Sequence, residues 1–203
     1  MSTVGVIEAV FFTASDAYKK DPAGTFKGVV DILHDTPGLV GSVYHGLVHE
    51  NPDDGVLFVP WTSYEAHQAL INSSRYPELL EHFKKAIGGE MKMVHFKATG
   101  DTPASLGAGA TEVARFTVKP GVAVADATVL LEQVAGFRVP GVSGTVWGYT
   151  VEDEREAVVA AGWSSIEVHQ EAMKGSSPEA AAFVEKLLAV LEIKMVHVKF
   201  GKY

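Results

Sequence analysis

Histidine is the residue type in this chain best suited to moving protons, because an unperturbed imidazole titrates near neutral pH. The chain has eight histidines and no cysteine. Four of them have no histidine at the matching place in the internal repeat described below: His34, His45, His49 and His82. We predict that His45, His49 and His82 are general acid/base residues in a pocket of the first half, since a site kept in one half alone would produce this asymmetry.

The other histidines point to structure rather than chemistry. His67 recurs as His169 and His95 recurs as His197, 102 positions further along the chain. Residues kept in both halves are best explained by a shared fold, so we interpret these four as structural. His95 is also a candidate for the pocket wall.

A metal site at His45 and His49 is opposed by geometry. On a helix, residues four apart lie within roughly 6 Å and can share one ion. On a strand they lie about 13 Å apart, at roughly 3.3 Å per residue. The matching segment 144–151 has the pattern of a strand, so we predict no metal site. We also expect no bound cofactor.

Aromatic side chains of the first half are the other candidates for a ligand site. The alternative is that they are core residues. The second half has Ala160 in place of Phe58 and Val184 in place of Phe83, which favours one working pocket rather than two. The predicted pocket residues are Phe12, Tyr44, Phe58, Trp61, Tyr64, Tyr76, Phe83 and His95.

An internal repeat determines the predicted architecture. Residues 90–97, EMKMVHFK, return as EIKMVHVK at 192–199, and residues 61–68, WTSYEAHQ, return as WSSIEVHQ at 163–170. Each copy has the periodicity of strand, helix, strand, strand, helix, strand. The segment 99–110 between them is built from small residues and turn formers, which is typical of a linker. We therefore predict domains at 1–98 and 111–203, joined by a linker at 99–110.

The predicted fold class is α+β, with two tandem ferredoxin-like βαββαβ domains. Helices on one side of a four-stranded sheet leave its other face bare, and that face must be covered. A second copy can cover it, so we predict an intramolecular pseudo-dimeric α+β barrel, one chain per barrel, with a homodimer of barrels left open.

Short sequence motifs within each predicted domain resemble those of one known family. The WTSYEAH segment at 61–67, the SSRYP break at 73–77 and the closing MVHF strand at 93–96 are similar to antibiotic biosynthesis monooxygenase-like proteins of the dimeric α+β barrel superfamily, here in tandem and closest to fungal members. The resemblance implies that fold. The superfamily includes cofactor-free oxygenases, polyketide cyclases, haem proteins and stress proteins, so the fold alone selects no activity.

This chain lacks the key residues of two activities found in that superfamily. Where haem-degrading relatives carry the iron-ligating histidine, the chain has Leu80 in one half and Ala181 or Ala182 in the other. Where plant polyketide cyclases carry a tyrosine and a histidine, it has Leu70 and Leu79.

Charge and composition limit the partners. Seventeen basic and twenty-five acidic side chains give a net charge of −8, without a basic cluster, so neither nucleic acid nor an anionic membrane is an expected partner. The N-terminus lacks the pattern of a secretory signal, and we expect a soluble, cytosolic protein.

Three functions remain open from the sequence. The first is a cofactor-independent oxygenase, cyclase or lyase that acts on a small apolar, aromatic or polyketide-like molecule by histidine acid/base chemistry. The second is a non-catalytic small-molecule-binding or stress-related protein. The third is a haem-binding oxidoreductase.

Overall fold

Ten strands and eight helices occur in residues 3–174 and 177–203, the part of the chain that the computed structural model describes. The first nine elements are β1 (Val6–Ala14), α1 (Asp16–Lys20), α2 (Pro22–His34), β2 (Tyr44–Leu47), β3 (Asp54–Trp61), α3 (Tyr64–Ile71), α4 (Tyr76–Phe83), β4 (Ile87–Lys97) and β5 (Thr99–Gly100). The other nine are α5 (Thr102–Leu106), β6 (Ala110–Val118), α6 (Val124–Gly136), β7 (Val142–Tyr149), β8 (Glu156–Trp163), α7 (Ile166–Lys174), α8 (Pro178–Val190), β9 (Leu191–Val198) and β10 (Gly201–Lys202).

The chain divides into two units. The first comprises residues up to Ala98 together with Val198–Tyr203, and the second comprises Thr99–His197. None of the helices within the described ranges combines the length and the apolar character needed to span a membrane.

The first unit has the strand order β10-β2-β3-β1-β4, all antiparallel. Without β10 this is the ferredoxin-like order. Helix α2 begins where Asp21 caps it through the backbone N–H of Gly24 and Pro22 takes the first turn, as expected from their preferences at these positions. Its buried face packs with α4 on one face of the sheet.

The second unit repeats this arrangement with the strand order β5-β7-β8-β6-β9. Its core joins the sheet residues Ala114, Phe116 and Val159 to Leu131 of α6 and Leu187 of α8. The α+β class with two ferredoxin-like units is confirmed. Closure of one intramolecular barrel and the origin of the units by duplication stay predictions.

The predicted linker at 99–110 is wrong, because most of this segment is part of the second unit. Residues Thr99–Gly100 pair with β7, and α5 packs on β7 and β8. Ser105 is fully buried and donates a hydrogen bond to the carbonyl of Ala160 at 2.6 Å. The small residues of this segment allow close packing here, whereas the sequence pattern alone is shared with flexible linkers.

The predicted end of the second domain at residue 203 is also wrong. Residues 198–203 return to the first unit, where β10 pairs with β2 and Gly201 lies opposite His45. The ring of Phe200 lies 5.5 Å from that of Phe58. A six-residue tail carries too little pattern to predict which sheet it joins.

Substituting Gly162 should test the packing of α5. A Cβ atom at Gly162 would lie 2.5 Å from the carbonyl oxygen of Ser105, so we expect Gly162→Ala to destabilise the protein by about 1–3 kcal/mol. The control is Gly136→Ala, where a Cβ meets no atom within 4 Å. Urea unfolding measures both, and equal midpoints would contradict the tight packing of this segment.

Candidate active site

A buried carboxyl group in the first unit lies at the centre of a network of four side chains. Glu8 is on β1, Trp61 ends β3, His67 lies one turn into α3 and His95 is on β4 directly opposite Glu8. Ser63 caps α3 by accepting the backbone N–H of Ala66. The cap starts the helix at the place that brings His67 over the sheet.

The His67 ring contacts the other members of the network on both of its nitrogen sides. The indole Nε1–H of Trp61 donates to Oε2 of Glu8 at 3.1 Å. Nε2 of His67 lies 3.5 Å from the same oxygen, and its Nδ1 shares a hydrogen bond of 2.7 Å with Nε2 of His95. The rings of Trp61 and His67 are stacked at 5.1 Å, which fixes the orientation of the imidazole.

Burial shifts the protonation of this network towards its neutral forms. Burial raises the pKa of Glu8 to about 7 from its ordinary value of 4.5, although the hydrogen bond from Trp61 opposes the rise. Burial, followed by the nearby His95, lowers the pKa of His67 to about 3. A carboxyl group with a pKa near 7 is present in both its acid and base forms at neutral pH.

Glu8 and His67 line a small cavity between the sheet and helices α2, α3 and α4. Its volume is about 50 Å³. Tyr76 is the third polar side chain in its wall, and the other lining residues are aliphatic, methionine or phenylalanine. The leucines Leu70, Leu79 and Leu80, which occupy the haem and cyclase positions of the resembling family, are part of this apolar wall.

This arrangement is suited to proton transfer with an apolar molecule. The carboxyl group is one of few polar groups in the cavity, so a ligand hydrogen would meet it without competition from bulk water. The same network recurs in the second unit, with 3.1 Å from Trp163 Nε1 to Glu112 Oε2, 3.4 Å from His169 Nε2 to that oxygen, and 2.6 Å between His169 Nδ1 and His197 Nε2.

No known protein-family profile matches the chain, and no curated protein matches its sequence. Solved structures do match its fold. A candidate monooxygenase from Fusobacterium nucleatum is 8% identical, with a TM-score of 0.72 over 98% of this chain and 94% of that one. A second, from Lactobacillus acidophilus, is 12% identical, with a TM-score of 0.67 over 98% and 94% of the chains. An anthrone oxidase-like protein is 16% identical, with a TM-score of 0.71 over 99% and 93%.

The chain shares the fold of these three solved structures. Each of these matches spans both units, which agrees with the fold that the resemblance implies. The closeness to fungal members stays a prediction, and identities this low show the fold alone.

His45 is buried apart from this network, in an aromatic sandwich. Its ring stacks on Phe26 and on Tyr203, both at 4.4 Å, and its Nδ1 shares a hydrogen bond of 2.9 Å with the hydroxyl of Tyr18. Its Nε2 is buried and has no hydrogen-bond partner among the described residues. Burial lowers the pKa of His45 to about 4, so the imidazole is neutral at pH 7.

The three histidines predicted as catalytic are not brought together. His49 is exposed and follows the end of β2. His82 lies on the outer side of α4, where its ring packs over Gly28 of α2 and forms part of a surface groove. Neither these two nor His45 belongs to the wall of the Glu8 cavity.

The predicted pocket residues are divided between the two faces of the sheet. Tyr76 and Phe83 line the cavity, and Phe12 packs on Phe83 with ring centroids 6.1 Å apart. Tyr44 and Phe58 lie opposite each other on β2 and β3, on the face away from the cavity, because side chains alternate along a strand.

The remaining three predicted residues belong to the network or contact it. Trp61 and His95 are members of it, and the ring of Tyr64 meets that of His95 edge-on at 4.9 Å. The described residues contain no group of three or more potential ligands arranged to hold a metal ion.

Glu8 is the residue that sequence reasoning missed. It interrupts an apolar strand, and Glu112 interrupts β6 at the structurally equivalent position, opposite Ala161 as Glu8 is opposite Val59. A charged residue on the buried face of a strand requires an explanation. Glu8 and Glu112 are 104 positions apart, whereas the matching histidines are 102 positions apart. The two glutamates therefore do not align at the offset of the histidines.

Acid unfolding should reveal the buried state of His45. Because its pKa falls from 6.5 to about 4 on folding, the unfolded chain binds the proton more tightly, and stability is lost as the pH falls from about 6.5 towards 4. We expect His45→Gln, which keeps a polar partner for Tyr18, to remove about 3 kcal/mol of this loss. Urea unfolding at pH 7 and pH 4 tests this, with the exposed His34→Gln as control. Parallel losses in both variants would contradict the buried neutral imidazole.

Proposed function

We propose that the chain is a cofactor-independent enzyme that removes a proton from a small apolar, aromatic or polyketide-like molecule. Glu8 in the first unit is the base. The observation that carries this proposal is the placement of a buried carboxyl group, with its pKa raised to about 7, in the wall of a cavity that is mostly apolar. General bases with a pKa near the working pH are the most effective.

The histidine pair supports Glu8 rather than acting alone. Nε2 of His67 faces Oε2 of Glu8 at 3.5 Å, and its other nitrogen is bonded to His95. In the proposed reaction the C–H bond of the substrate breaks, its electron pair stays on carbon, and the proton binds to Glu8. Glu8 gives the proton back at a later step, to the peroxide anion that the carbanion forms with dioxygen, and is then ready for another turnover.

Dioxygen is the proposed second reactant. The carbanion adds to dioxygen, and the hydroperoxide that forms after protonation loses water, so a CH₂ group becomes a ketone. Dioxygen supplies both the ketone oxygen and the oxygen of the water. This choice is supported by the names of the solved structures with the same fold, two candidate monooxygenases and an anthrone oxidase-like protein. Cyclase or lyase chemistry would use the same first step.

Access to Glu8 requires movement of side chains. Ligand sites usually measure roughly 300–1,000 Å³, whereas this cavity measures about 50 Å³. Met91, which is 49% exposed, and the half-buried Leu80 and Tyr76 lie between the cavity and solvent. An unbranched methionine changes rotamer at little cost, so we propose that these three side chains open for the substrate.

The small volume also favours a second candidate function. A cavity of about 50 Å³ holds only water-sized guests, which fits a non-catalytic, stress-related protein in which the network is structural. Location in the cytosol, and the lack of nucleic-acid and membrane partners, stay predictions from sequence, as does the state of one chain per barrel.

Hydrogen exchange without dioxygen tests the proposal. We expect the protein to accelerate exchange of the acidic CH₂ hydrogens of anthrone in D₂O under anaerobic conditions, as followed by proton NMR. On admission of air the product should be anthraquinone, with oxygen incorporated from ¹⁸O₂. Exchange no faster than with an equal concentration of denatured protein, across a panel of anthrones and naphthols, would support the non-catalytic function instead.

A further inference from the structure

Exposed apolar side chains are concentrated in the second unit. Nine large apolar side chains are exposed among the described residues, and eight of these belong to that unit. Four of the eight lie on α6 or α8 or within three residues of the end of α6, namely Val129, Phe137, Val139 and Leu188. Large apolar patches on a protein surface commonly mark contact surfaces. This helical face is therefore a candidate contact surface.

A groove lies between α6 and α8 on this face. Its volume is about 410 Å³, and four of its six lining residues are apolar: Val129, Leu130, Ala189 and Val190. The surface groove beside α2 in the first unit is instead lined mainly by polar and ionisable side chains, among them Lys27, Asp31, His82 and Lys85. The helical layer of the first unit therefore presents charge to solvent, whereas that of the second unit presents apolar surface.

The other two residues of the groove carry opposite charges. Asp126 is on α6 and Lys186 is on α8. Within residues 3–174 and 177–203 neither side chain forms an ion pair. A partner of a single charge sign would place a like charge against one of them, whereas a second copy of the same surface supplies both signs.

A two-fold axis along the groove matches these charges. The two helices run in opposite directions, because Phe137 at the end of α6 packs on Phe183 in the first half of α8, whereas the start of α6 and the end of α8 line the groove. At roughly 1.5 Å per residue, Asp126 lies about 3 Å inside the start of α6 and Lys186 about 6 Å before the end of α8. In a two-fold contact every pair of facing residues occurs twice. Each α6 then covers the α8 of the other copy, and each Asp126 faces the Lys186 of the other copy.

We propose that the chain forms a symmetric homodimer through α6 and α8 of the second unit. The apolar walls of the two grooves pack together and exclude water, and two ion pairs between Asp126 and Lys186 fix their register. No residue of the Glu8 cavity lines this groove. The dimer and the reaction proposed for Glu8 are therefore independent, and the failure of one leaves the other standing.

Sedimentation velocity of the full chain over a concentration series tests the association. We expect a reversible monomer–dimer equilibrium that Val129→Glu weakens by about tenfold or more, since the interface would bury two carboxylates. Val129 is 55% exposed, so the monomer should stay folded, as checked by circular dichroism. The control is Val151→Glu, at an exposed position outside the groove. A single chain at every concentration up to about 1 mM, or a dimer that Val129→Glu leaves unchanged, would overturn the proposal.

Charge reversal tests the register of the two copies. Asp126→Lys and Lys186→Asp each place like charges opposite each other, so each alone should weaken the dimer by about tenfold or more. The double variant brings opposite charges together again and should restore the original dissociation constant. Single variants that dimerise like the original chain, or a double variant as weak as the single ones, would overturn the pairing of α6 with α8.

Discussion

Replacing Glu8 by glutamine is expected to lower turnover by about 10²–10⁴-fold, the usual contribution of a general base. The amide oxygen can still accept the indole N–H of Trp61, which now binds Oε2 of Glu8, so the fold should persist. Anaerobic hydrogen exchange of anthrone measures the loss. The matched control is Glu90→Gln, at an exposed position of β4.

The same substitution should stabilise the protein at alkaline pH. The pKa of Glu8 rises from 4.5 to about 7 on folding, so the stability that the protonated form contributes is present below pH 4.5 and is lost as the pH rises through 7. The difference corresponds to about 3 kcal/mol. We expect Glu8→Gln to gain stability relative to wild type between pH 5 and pH 8. Unchanged turnover would contradict the role as base, and an unchanged pH dependence would contradict the burial of the carboxyl group.

Truncating Phe26 is expected to have the largest effect on stability, about 3–5 kcal/mol. The ring of Phe26 is fully buried and contacts four other rings. These belong to Phe12, Tyr18, His45 and Phe83. Phe26→Ala would open a cavity beside His45 and beside Phe83, which lines the Glu8 cavity.

A second readout separates this effect from general destabilisation. Water entering beside His45 would weaken the burial that lowers its pKa, so the imidazole of the variant should titrate closer to 6.5, as measured by NMR. The control is Phe137→Ala, because Phe137 is 47% exposed, and it should change stability much less. A loss below about 1 kcal/mol for Phe26→Ala would mean that this aromatic cluster is not the core of the unit.

The fold could be predicted because the repeat duplicates its signals. Helix α2 has its cap at Asp21, its proline at the first position and a buried face at helical spacing, and the structure has these features. The linker was mispredicted because small residues permit both flexibility and tight packing, and only the contacts of Ser105 and Gly162 distinguish them.

The candidate site was only partly predictable. Trp61, Tyr76, Phe83 and His95 were predicted as pocket residues, and they line the cavity or bond within its network. The central residue, Glu8, was missed because strand pairing, not sequence spacing, places it opposite His95.

Asymmetry between the halves did not lead to residues that share one site. It drew attention to His45, His49 and His82, which the structure places in an aromatic sandwich, on the surface and over a helix groove. The histidines kept in both halves, interpreted as structural, are those that contact the buried carboxyl groups.

Titration of the Glu8 carboxyl group is the most direct test of its role as a buried base. The side-chain carboxyl carbon of Glu8, observed by ¹³C NMR from pH 3 to pH 9, should titrate with a pKa near 7, and its signal should be absent from the spectrum of Glu8→Gln. A pKa near 4.5 would show a solvated carboxylate and would contradict the account of Glu8 as a buried base.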